Sequence, residues 1–308
     1  MQAEPTISES WRRRPGPMGL AHESERFYAE VNGVGYHGYD SGGSGQTMLF
    51  LHGWPDDSSL WRHQYAAASG AGYRAIALDW IGHGASERVT DFARYDRTLL
   101  SSDLAALGDR FNWGRVHCVA HDYGAVVGWQ YCTIHPDLVR SYCALSVGHP
   151  VAIVKYPTIA NSIKSWFLIY NSLPFAVRGY KARNAAFFRW AMRQHPDQAQ
   201  VVALLQSDDA PAYIRAWELG NPIGPLLRES LTKSVSQFSK LRAPTRGIWG
   251  SKDCYADAVP MQKSAQLVDN AFDYVRLEGL GHWLQLEAPD IVTPLIIDWA
   301  TQHGGAGA

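Results

Sequence analysis

Three polar residues, far apart in the chain, carry the chemistry that can be read from the sequence: Asp122, Asp253 and His282. Asp122 sits in Val119-Ala120-His121-Asp122-Tyr123-Gly124-Ala125, where an apolar β-branched run gives way to small residues, the pattern of a strand that turns abruptly into a helix. In such an elbow the central side chain is pushed out at the top of a sheet, and the small residues Ala120 and Gly124 let strand and helix approach closely. A carboxylate there can attack an electrophilic sp³ carbon and form an ester with it. Asp253 follows an apolar run ending at Gly250, and His282 follows another within Gly279-Leu280-Gly281-His282-Trp283. A histidine oriented by an aspartate can take a proton from water and so cleave that ester. Singly, each residue has a plainer reading: Asp122 as a helix cap, Asp253 as a turn residue, His282 as a surface histidine. The order nucleophile, acid, histidine, each at a strand end, favours one site built from all three.

To bring them together the chain must form a sheet whose strand ends share one side. Residues 26–38 read as a hairpin turning at Asn32-Gly33, and the continuous apolar run 47–51 reads as a buried parallel strand ending at His52-Gly53-Trp54-Pro55. Strands at 73–78, 116–120 and 139–147 then alternate with helices near 58–68, 99–111 and 125–135. This predicts an α/β fold, a mostly parallel sheet with helices on both faces. Between about 150 and 240 the alternation stops, and the segment reads as a helical insertion rich in aromatics, among them Trp166, Phe167, Tyr170, Tyr180, Phe188 and Trp217. Strands resume at 245–250 and 272–277, with helices near 258–267 and 289–301. The expected organisation is a flexible N-terminal arm over 1–25, a core over 26–149 and 241–308, and a helical lid over 150–240. Most of the lid aromatics should be core, the remainder lining a pocket.

Composition narrows the partners. The 308 residues are 46% hydrophobic and 19% charged with a formal net charge of −1, which suits a globular protein and offers no field for nucleic acid or acidic lipid. Arg12-Arg13-Arg14 lacks the apolar run of a signal peptide and reads as a solvated tail, and no stretch has the length of a membrane span. Cys118, Cys132, Cys143 and Cys254 have neither metal nor disulfide spacing, which fits a reducing, cytoplasmic setting. His52, His83 and His121 also lack ligand spacing, so neither metal nor cofactor is expected. The expected partner is a small-molecule substrate, bulky or aromatic if the lid aromatics line the pocket, acting on a monomer or homodimer.

From about residue 26 to 302 the sequence resembles the α/β-hydrolase superfamily, in its branch with an aspartate nucleophile, the epoxide hydrolases and haloalkane dehalogenases. The resemblance rests on His52-Gly53-Trp54-Pro55, His121-Asp122-Tyr123-Gly124, Trp249-Gly250-Ser251-Lys252-Asp253 and Gly281-His282-Trp283. It implies an eight-stranded sheet, Asp122 as nucleophile, His282 as base, Asp253 as its partner, and the backbone N–H groups of Trp54 and Tyr123 as oxyanion hole. It also makes Trp54-Pro55 a candidate cis bond.

Within the branch, dehalogenases usually carry a halide-binding Trp after the nucleophile, where this chain has Tyr123, and the aromatic Trp54 is common in epoxide hydrolases. The resemblance therefore implies opening of an epoxide to a vicinal diol. The alternatives are a haloalkane dehalogenase, a hydrolase of esters or activated carbonyls, or a non-catalytic binding member of the fold. One departure stands out. Epoxide hydrolases present two lid tyrosines to the oxirane oxygen, and in those positions this chain has Phe167 and Ile214. Trp166 and Tyr213, each one residue away, are the expected substitutes, Tyr213 being the better proton donor.

Overall fold

The computed structural model describes residues 26–206 and 210–305, with the side chains of 210–213 excepted. Eight strands form one sheet in the order β1-β2-β4-β3-β5-β6-β7-β8. β1 (Arg26–Val31) and β2 (Val34–Asp40) make the hairpin, whose Asn32 and Gly33 both take positive φ, 50° and 76°, as a two-residue turn of that kind requires. β2 also runs antiparallel to β4 (Arg74–Asp79). From β4 onward the sheet is parallel: β3 (Thr47–Leu51), β5 (Val116–His121), β6 (Val139–Leu145), β7 (Thr245–Gly250) and β8 (Phe272–Leu277). Every residue of β3 and β5 is buried, the mark of strands covered on both faces.

Helices Arg97–Arg110 and Tyr123–Ile134 pack together, and helix Pro289–Gln302 packs on helix Arg62–Gly70 and on β6. The chain leaves β3 for β4 on one side and returns to β5 on the other. The carboxyl ends of β3 and β5 thus flank the point where the winding reverses, where open parallel sheets place their crevice.

Between β6 and β7 the described residues are helical: Pro150–Lys155, Ile159–Lys164, Trp166–Ser172, Ala176–Ala191, Gln198–Gln206, Ala210–Gly220 and Ile223–Thr232. The fourth is broken at Ala182, after which Arg183, Asn184 and Ala185 all have positive φ. Tyr180, Phe188 and Trp217 from this insertion belong to the same buried cluster as Trp54, Leu51 and Trp283, so one core spans sheet and insertion. No helix among the described residues is long and apolar enough to cross a membrane.

Candidate active site

Asp122 occupies a backbone conformation that few L-residues adopt, φ 54° and ψ −124°, directly between β5 and helix Tyr123–Ile134. It makes no side-chain cap to that helix, which removes the helix-cap reading. The turn is possible because glycines lie where the chain crowds. A Cβ at Gly124 would overlap the backbone carbonyls of Leu51 and His52, and one at Gly53 would overlap the side chain of Asp122. Asp122 is 8% exposed, and its carboxylate is held at both oxygens: the Trp54 backbone N–H donates to Oδ1 at 3.0 Å, and His282 Nε2 lies 3.3 Å from Oδ2. The Trp54-Pro55 bond is cis.

His282 faces Asp253 with its other nitrogen, Nδ1 to Oδ2 at 2.7 Å. The second oxygen of Asp253 accepts the backbone N–H groups of Tyr255 and Ala256 at 2.8 and 3.0 Å, which orients the carboxylate. The loop carrying His282 is clamped from behind. Its carbonyl accepts Ser146 Oγ–H at 2.8 Å and is bridged by His121 Nε2 at 3.0 Å, while Trp283 Nε1–H donates to Asp56 Oδ2 at 2.9 Å.

The charges are set by these contacts. Burial drags the His282 imidazole toward neutrality, but the carboxylates of Asp253 and Asp122 outweigh it and push its pKa up to about 10. Burial lifts the Asp122 carboxyl, and the His282 hydrogen bond and charge, with the Trp54 N–H, overcome this to leave it below its usual range. At rest the pair is therefore carboxylate and imidazolium. Burial and the charge of His282 hold His121 down at about 4, so it is neutral.

Above Asp122 lies a narrow, mostly apolar cavity lined by Trp54, Trp166, Phe167, Tyr180, Tyr255 and Met192 among others. Trp166 and Phe167, two of the residues singled out in the sequence, are in this lining. Ile214 is wholly buried and is not a lining residue. The side chain of Tyr213 lies outside the described residues. Sequence reasoning missed Tyr180 and Tyr255 as lining residues: the first is one insertion aromatic among many, and the second sits two residues past Asp253 with its hydroxyl donating to the Ala191 carbonyl. It also missed Ser146 and Asp56, whose partners are remote in sequence. No group of three or more His, Cys, Asp or Glu placed to hold a metal occurs among the described residues.

Residues 48–294 match the model of the alpha/beta hydrolase family. The sequence is 27% identical to epoxide hydrolase A of Mycobacterium tuberculosis over 88% of this chain and 96% of that protein. It is 26% identical to epoxide hydrolase 4 of Mus musculus over 87% of this chain and 76% of that protein. Among solved structures, an epoxide hydrolase of Vigna radiata superposes with a TM-score of 0.74 at 24% identity, covering 90% of this chain and 98% of the other. A mutant epoxide hydrolase from Bacillus megaterium, complexed with its naphthyloxy-propanediol product, gives 0.72 at 25%, covering 89% and 100%. A family match running from β3 into the last helix takes in every strand of the parallel sheet, the elbow and the histidine loop, and by it this chain belongs to the alpha/beta hydrolase family and is a hydrolase.

Proposed function

We propose that this hydrolase opens an epoxide to a vicinal diol through an ester on Asp122, which His282-activated water then cleaves. The observation that carries the reading is a carboxylate at the elbow, facing a narrow apolar cavity, with a histidine on one oxygen and a backbone N–H on the other. The names of the relatives support the substrate class.

Oδ2 attacks a ring carbon, and Oδ1 becomes the ester carbonyl oxygen. Esterification removes the negative charge that helped hold the His282 proton, so the imidazole becomes a usable base at neutral pH. Asp253 keeps its Nδ1–H side fixed while Nε2 takes a proton from water. The resulting oxyanion develops at Oδ1, where the Trp54 N–H already points; the Tyr123 N–H, first of the following helix and free of an intrahelical partner, is the second donor of the proposal. The helical insertion acts as the lid that excludes bulk water.

The test is a single turnover in ¹⁸O-labelled water with a panel of epoxides. Label recovered in Asp122 supports the ester route, and diol formation with label only in the product sinks it. A second reading, haloalkane dehalogenase, has one observation in its favour: the buried indole N–H of Trp54, a lining residue, has no hydrogen-bond partner among the described residues and could hold a halide. Halide release from haloalkanes, with no diol from epoxides, would select it.

A further inference from the structure

A buried chain of hydrogen bonds joins the helical insertion to the elbow, and the reaction above makes no use of it. The Tyr180 hydroxyl donates to Asn171 Oδ1 at 2.9 Å, Asn171 Nδ2 donates to Glu218 Oε1 at 2.8 Å, and the Tyr123 hydroxyl donates to the same oxygen at 2.7 Å. Tyr180 and Asn171 are wholly enclosed. Glu218 as a residue is only partly buried, but its head points inward, and Oε2 is buried with no partner among the described residues. One end of this chain, Tyr180, lines the cavity over Asp122. The other end is a carboxyl in apolar surroundings.

A tyrosine has one hydroxyl proton, and here it is spent on Asn171. The oxygen and nitrogen of an amide occupy interchangeable places, so Asn171 has two arrangements in the same space. With Glu218 ionised, the Asn171 NH₂ must face the carboxylate, and its oxygen holds the Tyr180 proton. With Glu218 protonated, the carboxyl can donate to the Asn171 oxygen; the NH₂ then faces the Tyr180 oxygen, and the Tyr180 proton is free to turn to the cavity. Burial pushes Glu218 up to about 7 against the pull of the Tyr123 and Asn171 hydrogen bonds, and the charge of Asp122 adds to the rise, so both arrangements are accessible near neutrality. The other titratable groups nearby are Tyr123, Tyr170 and Tyr180, all raised by burial. Arg215, on the same helix, is turned to the Ser172 carbonyl and the Phe92 ring. Arg94 pairs with Asp103, and His83 is kept neutral by burial beside Trp217.

We propose that Tyr180 supplies the hydroxyl that meets the substrate oxygen, and that Glu218, acting through Asn171, sets when its proton is available. The proposal rests on the epoxide reading. As the Asp122 oxygen bonds to the ring carbon, the ring C–O bond breaks and its electron pair stays on oxygen, which takes the Tyr180 proton. The His282 imidazolium then returns a proton to the Tyr180 phenolate, which leaves His282 neutral and able to act as base. Water gives one proton to His282, which passes it to the departing diol oxygen, and the second water proton, left on the Asp122 carboxylic acid, goes to His282 and restores the resting carboxylate–imidazolium pair. Tyr180 is the catalytic residue; Asn171 and Glu218 are positioning residues.

The test follows ester formation on Asp122 by mass spectrometry of quenched single turnovers between pH 6 and 9, using styrene oxide or whichever panel epoxide the wild type opens fastest. In the wild type the rate should fall about tenfold per pH unit above pH about 7. Tyr180→Phe, which keeps the ring, should slow ester formation by about 100-fold or more at pH 6.5 with little change in KM. Glu218→Gln should flatten the alkaline fall, because its amide always donates to Asn171 as the protonated acid does. Ester formation at the wild-type rate in Tyr180→Phe overturns the proposal, and so does an unaltered alkaline fall in Glu218→Gln. Loss of ring opening in Tyr213→Phe with Tyr180→Phe unaffected assigns the proton to Tyr213 and also overturns it. Should Tyr180→Phe fail to fold, the Glu218→Gln profile alone decides. If the wild type forms no ester with any epoxide, the function reading falls first and this proposal with it.

Discussion

Asp253 Oδ2 stands 2.7 Å from His282 Nδ1, and the other oxygen of the same carboxylate is pinned by two backbone N–H groups. The pair fixes which imidazole nitrogen faces Asp122. Asp253→Asn should keep the geometry and lose the tautomer, slowing ester hydrolysis by on the order of 10³–10⁴ while ester formation continues. The measurement is accumulation of substrate mass on Asp122 after mixing with an epoxide; a variant that turns over with no accumulation would contradict this role.

His282→Gln should trap the same ester, since His282 is the base that meets the Asp122 carboxylate, at 3.3 Å from Oδ2. It should also change the pH dependence of stability. The His282 pKa is raised in the folded state to about 10 from 6.5, so its stabilisation is fully present below pH 6.5 and is lost as pH climbs to about 10. Chemical denaturation at pH 6.5 and pH 10 should show this loss in the wild type and its absence in His282→Gln.

Glu218 titrates in a different window. Its folded pKa, about 7 against 4.5, makes the buried charge a burden: stability should fall between pH 4.5 and 7, by on the order of 3 kcal/mol, and level off above. Glu218→Gln should lack that fall and be more stable than the wild type at pH 8. Equal denaturation midpoints for both proteins at pH 8 would show that the carboxyl is solvated.

Gly124→Ala and Gly53→Ala separate folding from chemistry. At 124 the new methyl meets only backbone carbonyls, which cannot yield, and a loss of about 3 kcal/mol or more, or no soluble protein, is expected. At 53 it meets Cβ and Oδ1 of Asp122 as well as the His121 carbonyl, so a loss of stability should be accompanied by a large fall in ester formation. Thermal melting and single-turnover ester yield test both.

Two side-chain contacts to one loop, a hydroxyl and an imidazole, give a smaller test. Ser146 Oγ–H and His121 hold the His282 carbonyl, and Ser146→Ala should lower stability by about 1 kcal/mol and slow ester hydrolysis more than ester formation.

The sequence by itself determined the parallel sheet, the hairpin turn at Asn32-Gly33, the elbow at Asp122 and the order Asp122, Asp253, His282, because each is written in local periodicity, in small residues at fixed offsets, or at the ends of apolar runs. Phe167 and Trp166 are singled out through the resemblance, Phe167 at the position of a lid tyrosine and Trp166 beside it, and both line the cavity. Ile214 misled for a physical reason: a helix turns about 100° per residue, so one position separates a core-facing side chain from one on another face, and no local pattern says which face the sheet will cover. Only the tertiary structure could join Tyr180, Asn171, Glu218 and Tyr123, which lie on four helices, or place Ser146 and Asp56 behind the histidine loop. Their hydrogen bonds exist because packing three layers around one core removes these groups from water and leaves them one another as partners, a condition set by the whole fold and by no short stretch of it.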